Sequence, residues 1–451
     1  MGGTPLRDTK CYPAWMRPLR CALLALLVAG AALLLGLSGT TLRTGWVASL
    51  DWLLPGTAAI LLVRLLVWRG EGMNRWRGAL WIWALVALPV GAFCLLAGID
   101  RPWTAVAVLA LGLALAALMS GWALRLATTT RWLVMAIVLG AAVPVPTVIA
   151  AWQGVGTQIA AKPAIGVMAG VPVQGVPLGA VRGVPAPEAI GLRSPLWRGL
   201  EARFRPRALD ALDAAGLEGL AALLLIQPRR LAPVELVALD GWVRGGGRLV
   251  VLADPLLHWP DPRPLGHPAR APLTSLLDPL LIHWGLRLEP AEGTDAPERR
   301  RLAGGGMVQL SGASRFVAEG SGGCTLRDGG LIARCRIGRG TALLVADADW
   351  ANDLLWTMNP DDPADRAAWT SDAVDVLDGW LRGAPPRLRT GGAWLADRDA
   401  LLRALRVSLA LLLALGVSGW LVGAYPMQSP ATCGAEKDQT GNKSTTKWDL
   451  Q

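Results

Sequence analysis

The sequence is poor in the side chains that usually carry chemistry. Three His, two Tyr and three Phe occur among 451 residues, and 17% of positions are charged against 53% hydrophobic. Charge this sparse excludes a disordered chain and a string of ordinary soluble domains, and it makes a membrane protein the leading expectation. The three His, His258, His267 and His283, show no HxxH or HExxH spacing, and two of them fall in a Pro-rich loop, so no metal site is expected. No GxxxxGK[ST] occurs, so any ATPase must be a separate chain; no GxSxG occurs either. Gly245–Gly247 precedes a strand-like run rather than a helix and makes no phosphate cradle.

The formal charge of +10 could suggest nucleic acid, but residues 153–400 hold 27 basic and 27 acidic side chains. The excess lies in and beside the apolar parts of the chain, so no nucleic-acid partner is expected. Trp is abundant instead: 22 residues, half of them before residue 153 and mostly near the ends of apolar runs, where indoles sit at the headgroup level.

Apolar runs of spanning length occur at about 19–38, 52–68, 80–99, 103–124, 132–152 and 401–424, each near the roughly 20 residues a bilayer needs. Pro55, Pro89, Pro144 and Pro146 interrupt spans two, three and five, which membrane helices tolerate. Basic residues gather before span one, between two and three (Arg69, Arg75, Arg77) and around the four–five turn (Arg125, Arg131). The positive-inside rule then predicts a bacterial inner-membrane protein with this organisation: 1–18 cytoplasmic, 19–152 five membrane helices, 153–400 an extracytoplasmic domain, 401–425 a last helix and 426–451 a disordered cytoplasmic tail. Arg403 and Arg406 at the outer end of the last span count against this unless they snorkel. Asp51 and Arg64 are the ionisable residues near span interiors, too few for an ion or proton path.

Within 163–400, short apolar runs alternate with amphipathic stretches, the pattern of a doubly wound α/β layer. Ala164–Ala169, Ala221–Gln227, Arg248–Ala253 and Thr341–Ala346 read as buried strands, and Pro233, Leu236, Leu239, Trp242 and Val243 mark a helix ended by Gly245–Gly247. Further helices are expected near 195–204, 275–284 and 372–382, with β-rich runs at 307–317 and 324–337 and a link at 385–396.

Two stretches, LLLIQPRRLAPVELVALDGWVRGGGRLVVLADP (Leu223–Pro255) and GRGTALLVADADWANDLLW (Gly338–Trp356), resemble the extracytoplasmic domain of the gliding-motility-associated auxiliary proteins of ABC transport systems, over roughly residues 163–382. The resemblance implies a flavodoxin-like sheet similar to class I glutamine amidotransferases, and a membrane-anchored, non-ATPase partner of a separate ATPase subunit and a permease. In this sequence the strand end where the amidotransferase nucleophile would stand reads Ala253-Asp254-Pro255, with no Cys, so covalent catalysis is not expected. The second motif departs from the family: Ala346 precedes Asp347, and Asn352 follows closely.

Asp254 ends one expected strand, and Asp347 and Asp349 end another. Ligands of doubly wound sheets bind beyond such ends at the switch in strand order, so these acids with Asn352 are candidate ligand-binding residues. The competing reading is that they cap the following turns, as Asp and Asn do well. A receptor or envelope enzyme using these acids for a ligand or metal is the alternative function. Cys324 and Cys335 would face each other across a Gly329-Gly330 turn, about 5.5 Å apart as a hydrogen-bonded pair, and could form a disulfide. An Asp328-Gly329 turn would instead set Cys324 against Ala333.

Overall fold

The computed structural model describes residues 16–66, 74–143, 162–174, 194–259, 261, 263–267, 270–290, 296–320, 323–359 and 365–421. The expected tail, Pro144, Pro146, and the end of the fifth span lie outside the described residues.

The first half is helical: α1 (Met16–Leu37), α2 (Thr40–Thr44), strand β1 (Trp46–Ala48), α3 (Leu53–Leu66), α4 (Asn74–Ala97), α5 (Trp103–Ala123) and α6 (Thr128–Ala142). Among the described residues five stretches are long and apolar enough to cross a membrane: Leu19–Thr44, Ser49–Leu66, Arg77–Ala97, Trp103–Ala123 and, much later in the chain, Arg398–Leu421. The expected fifth span is described only as the 15-residue α6. Pro55 falls in the first turn of α3, where its missing N–H costs little, whereas Pro89 lies inside α4.

Small residues let these helices pack. Along α1, Ala22, Ala25, Ala29 and Ala32 are buried, while Leu23, Leu27, Leu34 and Leu35 point outward. Such an outward row of leucines on a span-length helix is compatible with a membrane location. In the last helix the buried positions are Ala400, Ala404, Ser408, Leu412, Gly416 and Gly419, close to a four-residue repeat. A Cβ on Gly416 would collide with Leu26 of α1, so this glycine sets the helix separation. Arg64 is buried in α3, with Nη2 3.0 Å from where a Cβ on Gly121 would stand. Asp51 sits in the turn before α3 and accepts from Thr40 N at 2.9 Å and Thr40 Oγ1 at 2.6 Å, an anchoring role.

The second half is an α/β domain. In order it contains β2 (Ala164–Ala169), α7 (Pro195–Arg203), β3 (Arg205–Ala208), α8 (Ala214–Leu217), β4 (Ala222–Ile226), α9 (Pro233–Arg244) and β5 (Arg248–Leu252). Then follow α10 (Asp278–His283), β6 (Leu286–Glu289), β7 (Pro297–Arg301), β8 (Met307–Ser311), β9 (Arg315–Ala318), β10 (Cys324–Arg327), β11 (Ile332–Ile337), β12 (Gly340–Val345), α11 (Ala373–Arg382), β13 (Gly392–Trp394) and α12 (Arg398–Leu421). The central sheet runs β10-β11-β12-β5-β4-β2-β3. Five adjacent strands, β3 to β12, are parallel, and β11 and β10 extend them antiparallel. Numbered along the chain, the parallel strands stand in the order 2-1-3-4-5, that of the flavodoxin-type doubly wound sheet. The sheet is therefore mixed, and its switch in strand order lies between β2 and β4.

Local sequence explains the best-read unit. Every residue of β4 is buried, as in a strand covered on both faces. Helix α9 begins at Pro233, and Glu235 reaches back to accept from Ala232 N at 2.7 Å. Arg229 pairs with the same carboxylate at 2.8 Å and holds Glu235 down to about 2.

The expected link at 385–396 contains an element the sequence reading missed. Strand β13 pairs antiparallel with β1, joining the segment before α12 to the connection between α1 and α3. Gly98 bridges to Leu395, and Arg301 pairs with Asp100 at 2.7 Å. The two sparsely charged connections, 38–52 and 98–102, thus lie against the α/β domain. The join is packed with Trp: Trp46 and Trp394 meet edge to face at 5.1 Å, Arg299 and Arg389 stack on Trp394, and Trp394 Nε1 donates to Asp372 at 2.6 Å.

Candidate functional site

Asp254 follows β5, and Asp347 follows the adjacent parallel strand β12, so the sheet itself sets the two carboxylates side by side. Asp349, in the short turn Asp349–Ala351, completes a cluster in which one oxygen from each acid lies within 4.8 Å of the others. All three acids have no exposed surface.

Backbone donors hold most of these oxygens. Asp347 accepts from Ser311 N and Trp350 N, each at 3.0 Å. Asp254 accepts from Leu256 N at 2.8 Å and Ala348 N at 3.3 Å, and Asp349 Oδ2 from His258 N at 2.7 Å. Burial dominates their titration. It pushes Asp254 up to about 7 and Asp349 up to about 6, and it raises Asp347 well above the carboxylate range, the neighbouring acids adding to the rise at Asp254 and Asp347. Near neutral pH the cluster is therefore partly protonated. Its donor set is also one that a hard divalent cation would accept.

The strand-end rule places these acids at the carboxyl edge, as expected, but away from the switch in strand order. Gln227, just after β4, bonds instead to the end of β5: it accepts from Asp254 N at 2.9 Å and donates to Asp254 O and Pro272 O, both at 2.9 Å. At the switch, a Cβ on Gly170, just after β2, would run into the Gln227 carbonyl, so the two backbones approach closely there. Asn352 does not join the acids; its Oδ1 accepts from Leu354 N at 3.1 Å and caps the turn Asp353–Leu355. His258, set aside by sequence spacing, does join them, with Nδ1 3.6 Å from Asp349 Oδ2. Gln227 and Ser311 were also missed; a lone polar residue ending the apolar run AALLLIQ was the signal available for the first, and none existed for the second.

Cys324 and Cys335 stand opposite each other in the β10–β11 register and are joined by a disulfide. Arg336 N donates to Gly323 O on one flank of the pair, which makes it a narrow, non-hydrogen-bonded pair. The Cα separation is accordingly 3.9 Å rather than the wider spacing expected from sequence.

A family model described as ABC-type uncharacterized transport system matches residues 162–302, from β2 through the insertion after β5. No curated protein matches the chain. Among solved structures, similar ones include an exo-β-1,4-mannosidase from Opitutaceae bacterium strain TAV5 (13% identity, 48% of this chain, 35% of that chain, TM-score 0.26). A β-galactosidase from Bacillus circulans sp. alkalophilus (11%, 51%, 32%, 0.26) and one from Rahnella sp. R3 (15%, 48%, 33%, 0.25) are comparable. The chain spans about a third of the length of each, and likeness at these TM-scores carries no argument about fold or activity. The matched stretch is less than a third of the chain, and the five span-length apolar helices among the described residues are compatible with a membrane location.

Proposed function

We propose that this protein is a non-enzymatic auxiliary or permease-associated subunit of an ABC-type transport assembly, spanning the bacterial inner membrane several times and holding its α/β domain outside the cytoplasm. The observation that carries the reading is the family match over residues 162–302, which falls on the doubly wound half of a chain that also holds five span-length helices. Energy must then come from a separate ATPase subunit, since the chain has no phosphate-binding loop.

Three features support the placement. The connections 38–52 and 98–102 lie on the side of the α/β domain and are poor in basic residues, while Arg77, Arg125 and Arg131 belong to the opposite ends of their helices. The disulfide suits an oxidising compartment. The 2-1-3-4-5 order, with Asp254 at a strand end, fits an amidotransferase-like domain that has no thiol there. The buried acids, held by backbone donors, favour a binding or structural role over catalysis. Affinity purification from native membranes in mild detergent tests the reading: a nucleotide-binding subunit should co-elute, and repeated recovery of this chain alone would contradict it. Placement is tested by a membrane-impermeant maleimide, which should label Arg207→Cys in intact spheroplasts and spare Arg125→Cys.

A further inference from the structure

A second cluster of charge lies on a face of the central sheet, away from the acids. Helix α11 covers β4 and β5. Beside it, over β12 and β11, a cavity of about 370 Å³ opens between α11, the loop Leu302–Gly305 and Pro385–Pro386. This volume lies within the range of small-molecule sites, roughly 300–1,000 Å³.

The pairing register explains which side chains enter. Arg334 stands opposite Leu343, and Arg248 opposite Thr341, two residues before Leu343 on the same face. Arg327 stands opposite Ile332, two residues before Arg334, so it shares that face. Three guanidiniums therefore line one cavity, over a floor of aliphatic side chains with Trp380 at its side. Arg248 donates through Nη1 to Leu381 O at 3.1 Å. Among the described residues none of the three forms an ion pair, whereas nine other arginines of this domain pair with its acids. The one acid lining the cavity, Asp328, accepts from Ala303 N at 2.7 Å through Oδ1.

Arginines on a sheet often serve to block edge-to-edge pairing. That accounts for Arg327 on the edge strand β10, but not for Arg334 on β11 or Arg248 at the start of the interior strand β5. Planar guanidiniums bind phosphate through paired N–H donors, and three of them match a ligand of two negative charges. The aliphatic floor and Trp380 ask for an apolar body on the same ligand.

We infer that this cavity binds a small phosphate-bearing molecule with an apolar portion, held by Arg248, Arg327 and Arg334 against Trp380. The phosphate could belong to a free solute or to a lipid headgroup. The test is isothermal titration of the full chain in mild detergent with phenyl phosphate as the probe and phenol as the uncharged control. Phenyl phosphate should bind, more weakly as salt rises, and phenol should not. The doubly substituted Arg327→Gln/Arg334→Gln protein should bind at least about tenfold more weakly, as expected when charge-assisted hydrogen bonds are lost. Both side chains are exposed, so the melting temperature of that variant serves as the folding control. Dihexanoylphosphatidic acid separates the sources: tighter binding than phenyl phosphate assigns the site to a headgroup, and equal or weaker binding to a free solute. No binding of phenyl phosphate at low salt, or unchanged affinity in the folded double variant, overturns the inference.

Discussion

The carboxyl edge and the arginine-lined face of one sheet handle charge in opposite ways. Beyond β5 and β12, three acids are buried, and all but one of their oxygens accept from backbone N–H groups, most of them at 3.0 Å or less. Near the amino ends of the same two strands, arginines line an open cavity without carboxylate partners among the described residues. A buried charge whose hydrogen bonds are met by the backbone holds loops in place, and its removal costs stability. A charge left accessible costs little to remove and is available to a ligand.

The largest effect that would break this contrast is expected at Asp347. Asp347→Ala leaves the N–H groups of Ser311 and Trp350 buried without a partner, a loss of roughly 2–5 kcal/mol from two orphaned donors. Thermal unfolding in detergent reads it, and a change under 1 kcal/mol would show that the cluster does not organise the carboxyl edge. Next comes the disulfide. Its two cysteines are 11 residues apart, so Cys335→Ser should cost about 2–3 kcal/mol by loop closure. A variant as stable as the parent would mean that the bond is not formed in the native protein.

Stability should also depend on pH through the buried acids. A carboxyl raised by folding holds its proton more tightly in the folded chain. Its stabilising contribution is complete below the unfolded value of about 4 and is lost as pH rises through the folded values of about 6 and 7. The melting temperature should therefore rise as pH falls from 8 to 5, and Asp254→Asn should flatten that rise. A melting temperature that falls over the same window contradicts protonation of the cluster. The smallest effect is at the other end of the strands, where Arg334→Gln should change stability by no more than about 0.5 kcal/mol.

Much of this arrangement could be read from residues alone, for local reasons. The unit from Leu223 to Pro255 carries its own signals: an unbroken apolar strand, Pro at the first helical turn, glycines at the helix end. The structure follows it within a residue or two. Asp254 and Asp347 were identifiable because each directly follows a buried run, and strand ends of parallel sheets converge on one edge. Asn352 was grouped with them by proximity in sequence, yet a short turn directs its side chain to a local cap. The β1–β13 pairing was invisible because each strand is three residues long and its partner lies at the other end of the chain. The arginine cavity was hidden for a similar reason: Arg248, Arg327 and Arg334 each look like an ordinary polar position, and only the register of three strands brings them to one face.

The join between the halves gives the two regions a common frame. Asp372, buried next to the start of α11, accepts from both Met307 N and Trp394 Nε1, so the α/β core is tied to the strand that leads into α12.

The proposed function requires an ATPase on a separate chain. The most direct measurement is ATP hydrolysis by material purified on the tagged chain, expressed at its native level, from native membranes. Vanadate-sensitive hydrolysis should co-elute with the chain. A folded, pure chain that carries no hydrolysis and no nucleotide-binding subunit would contradict it.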